Sequence, residues 1–313
     1  MATSGCLEKM LMDGQIEATR KALPSMDGTA DFEVARDASG AGLGQFEGLH
    51  WLAPENEDGY YLLVKGYASH AFAFVEDEME AAIVDGKEDL ADYHRLRAKS
   101  LYTRAIGFGE EWLEKKHRGF VAARSSGHEK QMVAYLSQFG RKADAPMLFW
   151  IGYSWLARVN VAKDDNGLIG TLYVGRAMMD RVVALDESLE MWSPHVVLGA
   201  YDARTGWETL GDASFASSKA HFDKADRAMK GQVLLTPVTM ALSYACYLKD
   251  ASPGRRESLA LYRKLLQGVV GASDTLPESR LMNAIAKRRA RRYLSARWME
   301  EKMREDCGWD LGG

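Results

Sequence analysis

The stretch that decides the fold is Asp144-Ala145-Pro146-Met147-Leu148-Phe149-Trp150-Ile151-Gly152-Tyr153-Ser154-Trp155-Leu156-Ala157. Its mostly apolar part, Ala145 to Ala157, spans thirteen residues and closes at Arg158. That falls well short of the roughly 20 residues needed to cross a bilayer. Pro146 stands where a first-turn proline is tolerated, so the run reads as a buried helix. Leu148, Ile151, Gly152 and Trp155 add a finer pattern. A large apolar residue, a second three on, a small residue beside it and an aromatic three beyond suit the first helix of a tetratricopeptide-type hairpin.

Outward from this helix the 3.6-residue period dominates. Helices are predicted near 6–22, 29–52, 57–84, 87–117, 128–139, 145–163, 166–187, 193–203, 212–230, 235–250, 255–270 and 277–304. Breaks are predicted at Leu23-Pro24, Ala53-Pro54, Asp85-Gly86, Ser125-Ser126-Gly127, Asp164-Asp165-Asn166-Gly167, Ser252-Pro253-Gly254 and Thr275-Leu276-Pro277. No run alternates with period two for long. The weak point is the glycine-rich stretch 38–48 inside the second helix. The predicted class is all-α, an array of tetratricopeptide-like helical hairpins with about twelve helices. One helical-repeat domain is expected over 1–313, with N-terminal helices over 6–56, hairpins over 57–272 and a basic terminal helix over 277–304.

Second helices of such hairpins place a small residue, an aromatic four on and Ala three further. Ala98, Tyr102 and Ala105 fit, as do Ser218, Phe222 and Ala225. In Ser258, Tyr262 and Leu265 the last position is enlarged; in Ala177, Arg181 and Ala184 an arginine replaces the aromatic.

Composition excludes several classes. With 313 residues, 47% hydrophobic and 27% charged, the chain can build a full core without staples. The net charge of −4 gives no overall case for nucleic acid. From Arg280 to Arg304, however, nine basic side chains face two acidic ones, a net of +7. This is either the solvated face of a last helix or a contact for an acidic partner or an anionic membrane surface.

Cys6, Cys246 and Cys307 are odd in number and widely spaced, which predicts neither a disulfide framework nor a zinc site. Cys246 reads as a small core residue. Thr3-Ser4-Gly5-Cys6 has the small-small-Cys ending of a lipoprotein cleavage site, without the apolar segment that precedes one.

Catalytic signatures are missing. Gly40-Ala41-Gly42-Leu43-Gly44 has no strand before it, and Gly152-Tyr153-Ser154-Trp155-Leu156 lacks the second glycine of a nucleophile elbow. His70 with Glu76, Asp77, Glu78 and Glu80 reads as a solvated surface, since near-consecutive acids spread over more than one helix face. His50, His94, His117, His195 and His221 show no ligand spacing. No cofactor, metal or catalytic residue is predicted. The aromatics Phe149, Trp150, Tyr153 and Trp155, beside Ser154, Arg158 and Asn160, are either plain core or one wall of an apolar pocket with a few polar groups.

The quoted stretch, followed by Val161-Ala162-Lys163-Asp164-Asp165, resembles the central helix of the T component of TRAP transporters. Ala184-Leu185-Asp186-Glu187-Ser188, His195 with Leu198-Gly199-Ala200-Tyr201, Ala220-His221-Phe222-Asp223-Lys224-Ala225, and Leu281-Met282-Asn283-Ala284-Ile285-Ala286-Lys287-Arg288-Arg289-Ala290 resemble its later segments in order. The likeness covers roughly residues 60–295, with Arg181 a departure where an aromatic is usual. It implies a non-enzymatic, periplasmic lipoprotein that assembles as a trimer and partners the periplasmic solute-binding protein of a TRAP transporter. A hydrophobic small molecule is implied as a further ligand. Membrane contact would run only through an N-terminal lipid anchor on Cys6, and no nucleic acid is expected. On this reading Trp150, Ser154, Arg158, His195, Tyr201 and Asn283 are the expected ligand-binding positions. Two alternatives stand beside it: a cytoplasmic helical-repeat adaptor for peptide tails, and an all-α carrier or enzyme handling lipid-like molecules.

Overall fold

Side-chain caps and close glycine contacts fix how the helices pair. The computed structural model describes residues 3–205, 212–248, 255–307 and 309; these are helical with connecting turns, and no strand occurs among them. The fold is all-α. The backbone clusters into two compact units, residues 1–79 with 92–185, and residues 80–91 with 186–313.

The first unit holds α1 (Thr3–Ala22), α2 (Phe32–Leu52), α3 (Glu57–His70), the start of α4 (Glu76–Val84) and most of α5 (Glu88–Lys116), then α6 (Phe120–Ser125), α7 (Glu129–Leu136), α8 (Ala145–Val161) and nearly all of α9 (Leu172–Asp186). A π-helical turn over Ala71–Val75 joins α3 to α4. Asp31 opens α2 by accepting the amides of Glu33 and Val34, and Asn56 opens α3 by accepting that of Gly59. The glycine-rich stretch 38–48 is helical throughout. Tertiary packing overrides glycine's poor propensity here. A Cβ on Gly66 of α3 would lie 3.1 Å from Phe46 of α2, so the missing side chain sets how closely the two helices approach.

The quoted stretch forms α8, and α9 folds back along it. A Cβ on Gly152 would lie 2.8 Å from the Met178 Cβ, and the Trp155 indole donates to Thr171 Oγ1 at 3.0 Å. Arg181, where an aromatic was expected, donates through Nε and Nη2 to the Phe139 carbonyl at 2.8 and 2.6 Å. Ala98, Tyr102 and Ala105 are fully buried.

The second unit holds α10 (Leu189–Thr205), α11 (Asp212–Ala228), α12 (Leu235–Met240) with a π turn over Ala241–Ala245, α13 (Arg255–Gly271) and α14 (Arg280–Tyr293). It ends in α15 (Ala296–Trp298), a π turn over Met299–Met303 and α16 (Arg304–Cys307). α10 and α11 form an antiparallel hairpin. Ser214 Oγ donates to the Asp202 carbonyl at 2.9 Å, and Ser218 Oγ to that of Gly199 at 2.7 Å.

Several expectations change. The single helix expected over 277–304 is interrupted after Tyr293, where Ser295 caps a new start by accepting the amide of Trp298. α6 was not anticipated. Regular α10 begins where the sequence placed it, near 193, because Glu190, Met191 and Trp192 turn left-handed with φ of 45°, 57° and 65°.

The cysteine expectation is corrected too. Cys246 and Cys307 form a disulfide between residues 61 apart in sequence. An odd total does not stop two of three from pairing once α16 returns to the core. Cys246 is nonetheless the buried core residue expected, in a cluster with Tyr262, Tyr293, Trp298 and Trp309.

The acidic run is also corrected. Glu76, Asp77 and Glu80 are buried rather than solvated. Tyr102 donates to Glu76, while Tyr293 and Arg292 donate to Glu80 at 2.6 and 2.7 Å. The basic run thereby splits: Arg289 and Arg292 turn inward beside Glu80, while Arg288, Arg291 and Arg297 are exposed.

Candidate functional site

The six expected positions divide three and three between the two units. In the first unit Trp150, Ser154 and Arg158 lie at four-residue spacing on α8, which puts them along one helix face. Trp150 is buried and packs edge-on to Phe149 and Tyr153, with ring centroids 5.1 and 5.8 Å away. Lys65 of α3 sets its ammonium 5.2 Å from the Trp150 ring. Tyr153 in turn meets Phe72 and Tyr102. Ser154 is fully buried, and its hydroxyl is spent on the Trp150 carbonyl at 2.7 Å. Arg158 lays its guanidinium 5.1 Å from the Trp155 ring centroid. Burial pulls its pKa down, Glu110 opposing and Arg124 adding to the effect.

In the second unit His195 stands on α10 with 3% exposure, at the centre of a polar chain the sequence did not reveal. Its Nε2 lies 3.3 Å from Glu187 Oε2, and its Nδ1 lies 2.7 Å from Nδ1 of His221 on α11. His221 Nε2 faces Asp202 at 3.9 Å, and Asp202 accepts from Ser217 Oγ at 2.6 Å. Two facing Nδ1 atoms must share one proton, one donating and the other accepting. Burial lowers the His195 pKa, and the bond to Glu187 offsets part of this. Lys224 pairs with Glu187 and holds the Glu187 carboxyl below its ordinary range. Trp192, on the left-handed turn, stacks on His195 at 5.7 Å and 23°.

Tyr201, two turns further along α10, is half-buried, and its carbonyl accepts from Thr205 Oγ1 at 2.8 Å. Asn283 sits apart on α14. Its Oδ1 accepts the amide of Leu234 at 2.9 Å, while Nδ2 reaches the Gln232 carbonyl, Asp274 and Ser279 Oγ at 3.0 to 3.2 Å. That network holds the segment before α12 to α14 and consumes the whole carboxamide.

A family signature settles where such a chain belongs. The family described as TRAP transporter T-component matches residues 28–299. The chain belongs to the TRAP transporter T-component family. It is therefore an accessory component of such a transport system. Comparison with curated proteins returns no match.

Among the described residues no helix is long and apolar enough to cross a membrane, and no group of metal-ligating side chains assembles. The Cys6 side chain lies outside the described residues. Two clefts of the first unit are lined by none of the six positions. One, of about 390 Å³, is bordered by Arg36, His70, Glu78 and Arg97; the other, of about 770 Å³, by Met12, Leu52, Pro54 and Asn56.

Sequence reasoning missed Glu187 and His221 as partners of His195, and Lys224 and Asp202 as the charges that hold those two. The available signal was the hairpin. A helix pair folding back on itself brings together positions equidistant from the turn, His195 and His221 among them.

Proposed function

We propose that this T-component scaffolds the periplasmic substrate-binding subunit of a TRAP-type transporter and holds a hydrophobic small molecule. The observation that carries the reading is the family match across residues 28–299. It acts as a homotrimer of tetratricopeptide-like arrays in the periplasm, tethered through a lipid on Cys6. Disulfides persist in oxidising compartments, so the Cys246–Cys307 bridge supports a periplasmic location over a cytoplasmic one. Tethering a binding protein beside its permease raises its effective concentration there, and no covalent chemistry is required.

Trp150, Ser154, Arg158, His195, Tyr201 and Asn283 are the proposed ligand-binding positions. The aromatic cluster around Trp150 supports the first three, and the buried polar chain at His195 supports its own assignment. Asn283, with its amide fully engaged, contributes by holding its loop in place.

A crosslinked affinity pull-down from the source organism's envelope tests the scaffold. Near-stoichiometric recovery of a periplasmic solute-binding protein is expected; recovery of cytoplasmic proteins alone, or of nothing, overturns it. Palmitate labelling of Cys6 in the full-length precursor tests the anchor. Trp150→Ala should weaken ligand retention more than trimer formation, and the reverse order counts against the pocket.

A further inference from the structure

Three half-buried ionisable groups of the first unit each carry a polar atom without a hydrogen bond. They are Glu110 of α5, Arg124 of α6 and Arg158 of α8. Arg124 Nη1 stands 3.1 Å from Glu110 Oε1. Yet Arg124 Nε, Arg158 Nε and Glu110 Oε1 are all closed to solvent and form no hydrogen bond. Native proteins leave few such atoms, and each calls for an explanation, an unseen partner among them.

The charges do not balance either. Arg124 and Arg158 both act electrostatically on the Glu110 carboxylate, and only Arg124 reaches it within ion-pair distance. The other acids nearby are committed elsewhere. Glu114 spends its oxygens on the backbone amides of Gly119 and Val121, at 3.0 and 2.7 Å. Asp165 pairs with Lys99 at 3.1 Å and accepts the amide of Leu168. No carboxylate among the described residues comes within ion-pair distance of Arg158, whose guanidinium rests against the Trp155 ring. An arginine kept half-buried without an ion-pair partner is costly to hold.

We infer that Arg158, with Arg124 beside it, forms a binding site for an oxyanion, the carboxylate or phosphate group of a small molecule. The site deepens the ligand reading of Arg158 by assigning the chemistry it recognises. A planar guanidinium presents paired N–H donors that match two oxygens of such a group. The Trp155 face holds the fork in position, since the indole N–H is already bound to Thr171. Tyr173 fixes the neighbouring segment by donating to the Arg124 carbonyl at 2.8 Å. Glu110 orients Arg124 and leaves one net positive charge for the incoming anion.

Titration of the purified chain with inorganic phosphate, succinate and laurate, at ionic strength held constant with sodium chloride, tests this by calorimetry and thermal unfolding. Saturable binding of at least one probe is expected, weakened tenfold or more by Arg158→Met and less by Arg158→Lys, which keeps the charge and loses the fork. Tightest binding of phosphate or succinate identifies a free anion as the source; tightest binding of laurate identifies the headgroup of an amphiphile. Without any probe, Arg158→Met should unfold at the same temperature as the parent or higher, because it removes an uncompensated charge. The proposal is overturned if the folded parent binds no probe, or if Arg158→Met binds as well as the parent. Destabilisation by Arg158→Met with no probe effect on the parent assigns the arginine a packing role and overturns it too. Partner capture in the envelope pull-down does not depend on these results, so the transport reading and the anion site fail separately.

Discussion

Opening the Cys246–Cys307 bridge should destabilise the second unit and leave the first nearly untouched. The bridge joins residues 61 apart. In the chain-entropy treatment a cross-link lowers the entropy of the unfolded chain by 2.1 + 1.5R ln n cal/mol/K, which for this loop gives about 4 kcal/mol at 25 °C. That figure is a ceiling, because a reduced unfolded chain keeps residual compactness. Both sulfurs are buried, and the segment they fasten carries Trp309, whose indole donates to Ser258 Oγ at 3.1 Å and meets the Tyr262 ring at 5.0 Å. Loss of the bridge therefore also loosens an aromatic contact.

Guanidinium unfolding of the parent, with and without reductant, and of Cys246→Ala/Cys307→Ala measures the effect. A loss of 2–4 kcal/mol is expected, confined to the transition in which the second unit unfolds, as reported by exchange of its amides. Counting thiols under non-reducing denaturation comes first and, in a chain produced without lipid on Cys6, should give one free thiol among the three cysteines. Three free thiols would refute the bridge. An intact bridge whose removal moves no transition would refute the energetic argument.

Burial lowers the His195 pKa below the ordinary 6.5, so below that pH the unfolded chain takes up a proton that the folded chain resists. Stability should fall as pH drops from 7 through 6. His70 acts with the same sign, also through burial. His195→Gln should flatten the slope measured by denaturant titration between pH 7.5 and 5.5, and an unchanged slope would count against this assignment. Two glycine substitutions should act in opposite directions in thermal unfolding. Gly44→Ala meets nothing within 4 Å and should gain about 0.5–1 kcal/mol from reduced chain entropy. Gly152→Ala would push into Met178 and should cost about 1–3 kcal/mol through overpacking. Tyr293→Phe removes a hydroxyl bound to buried Glu80 and should cost about 1–3 kcal/mol. Glu80→Gln leaves Arg292 without its carboxylate and should cost more, about 3–5 kcal/mol.

Where the sequence was legible, local and tertiary preferences agree. α8 could be read because Pro146, the dense aromatics and Gly152 all favour a buried helix closely crossed by another. Ser218 and Phe222 could be read because a small residue and a ring four apart are what the close pass of Gly199 demands. The illegible parts depend on partners far away in the chain. Glu76 and Glu80 look like surface residues beside their neighbours, yet Tyr102 and Tyr293 satisfy them. The pairing of Cys246 and Cys307 is visible only once α16 is known to return to the core. The Tyr293–Ser295 interruption carries neither glycine nor proline, and α6, at six residues, is too short for its period to show.

The left-handed turn at Glu190–Trp192 shows why the environment of His195 was the hardest to foresee. A left-handed conformation costs an ordinary L-residue roughly 1–2 kcal/mol, and here three consecutive non-glycine residues adopt it. Local bonds offset part of that cost: the Trp192 amide reaches the Ser188 carbonyl at 3.2 Å, and Ser193 Oγ the Glu190 carbonyl at 2.5 Å. The rest of the compensation is tertiary. The turn swings Trp192 over His195, and the Lys224 ammonium, held by Glu187, lies 5.7 Å from the indole ring. A right-handed helix continued back from Pro194 would point Trp192 elsewhere and uncover the imidazole. The same strained backbone therefore closes His195 off from water and leaves its Nδ1 to His221, so the burial that lowers its pKa and the geometry that pairs the two histidines have one origin.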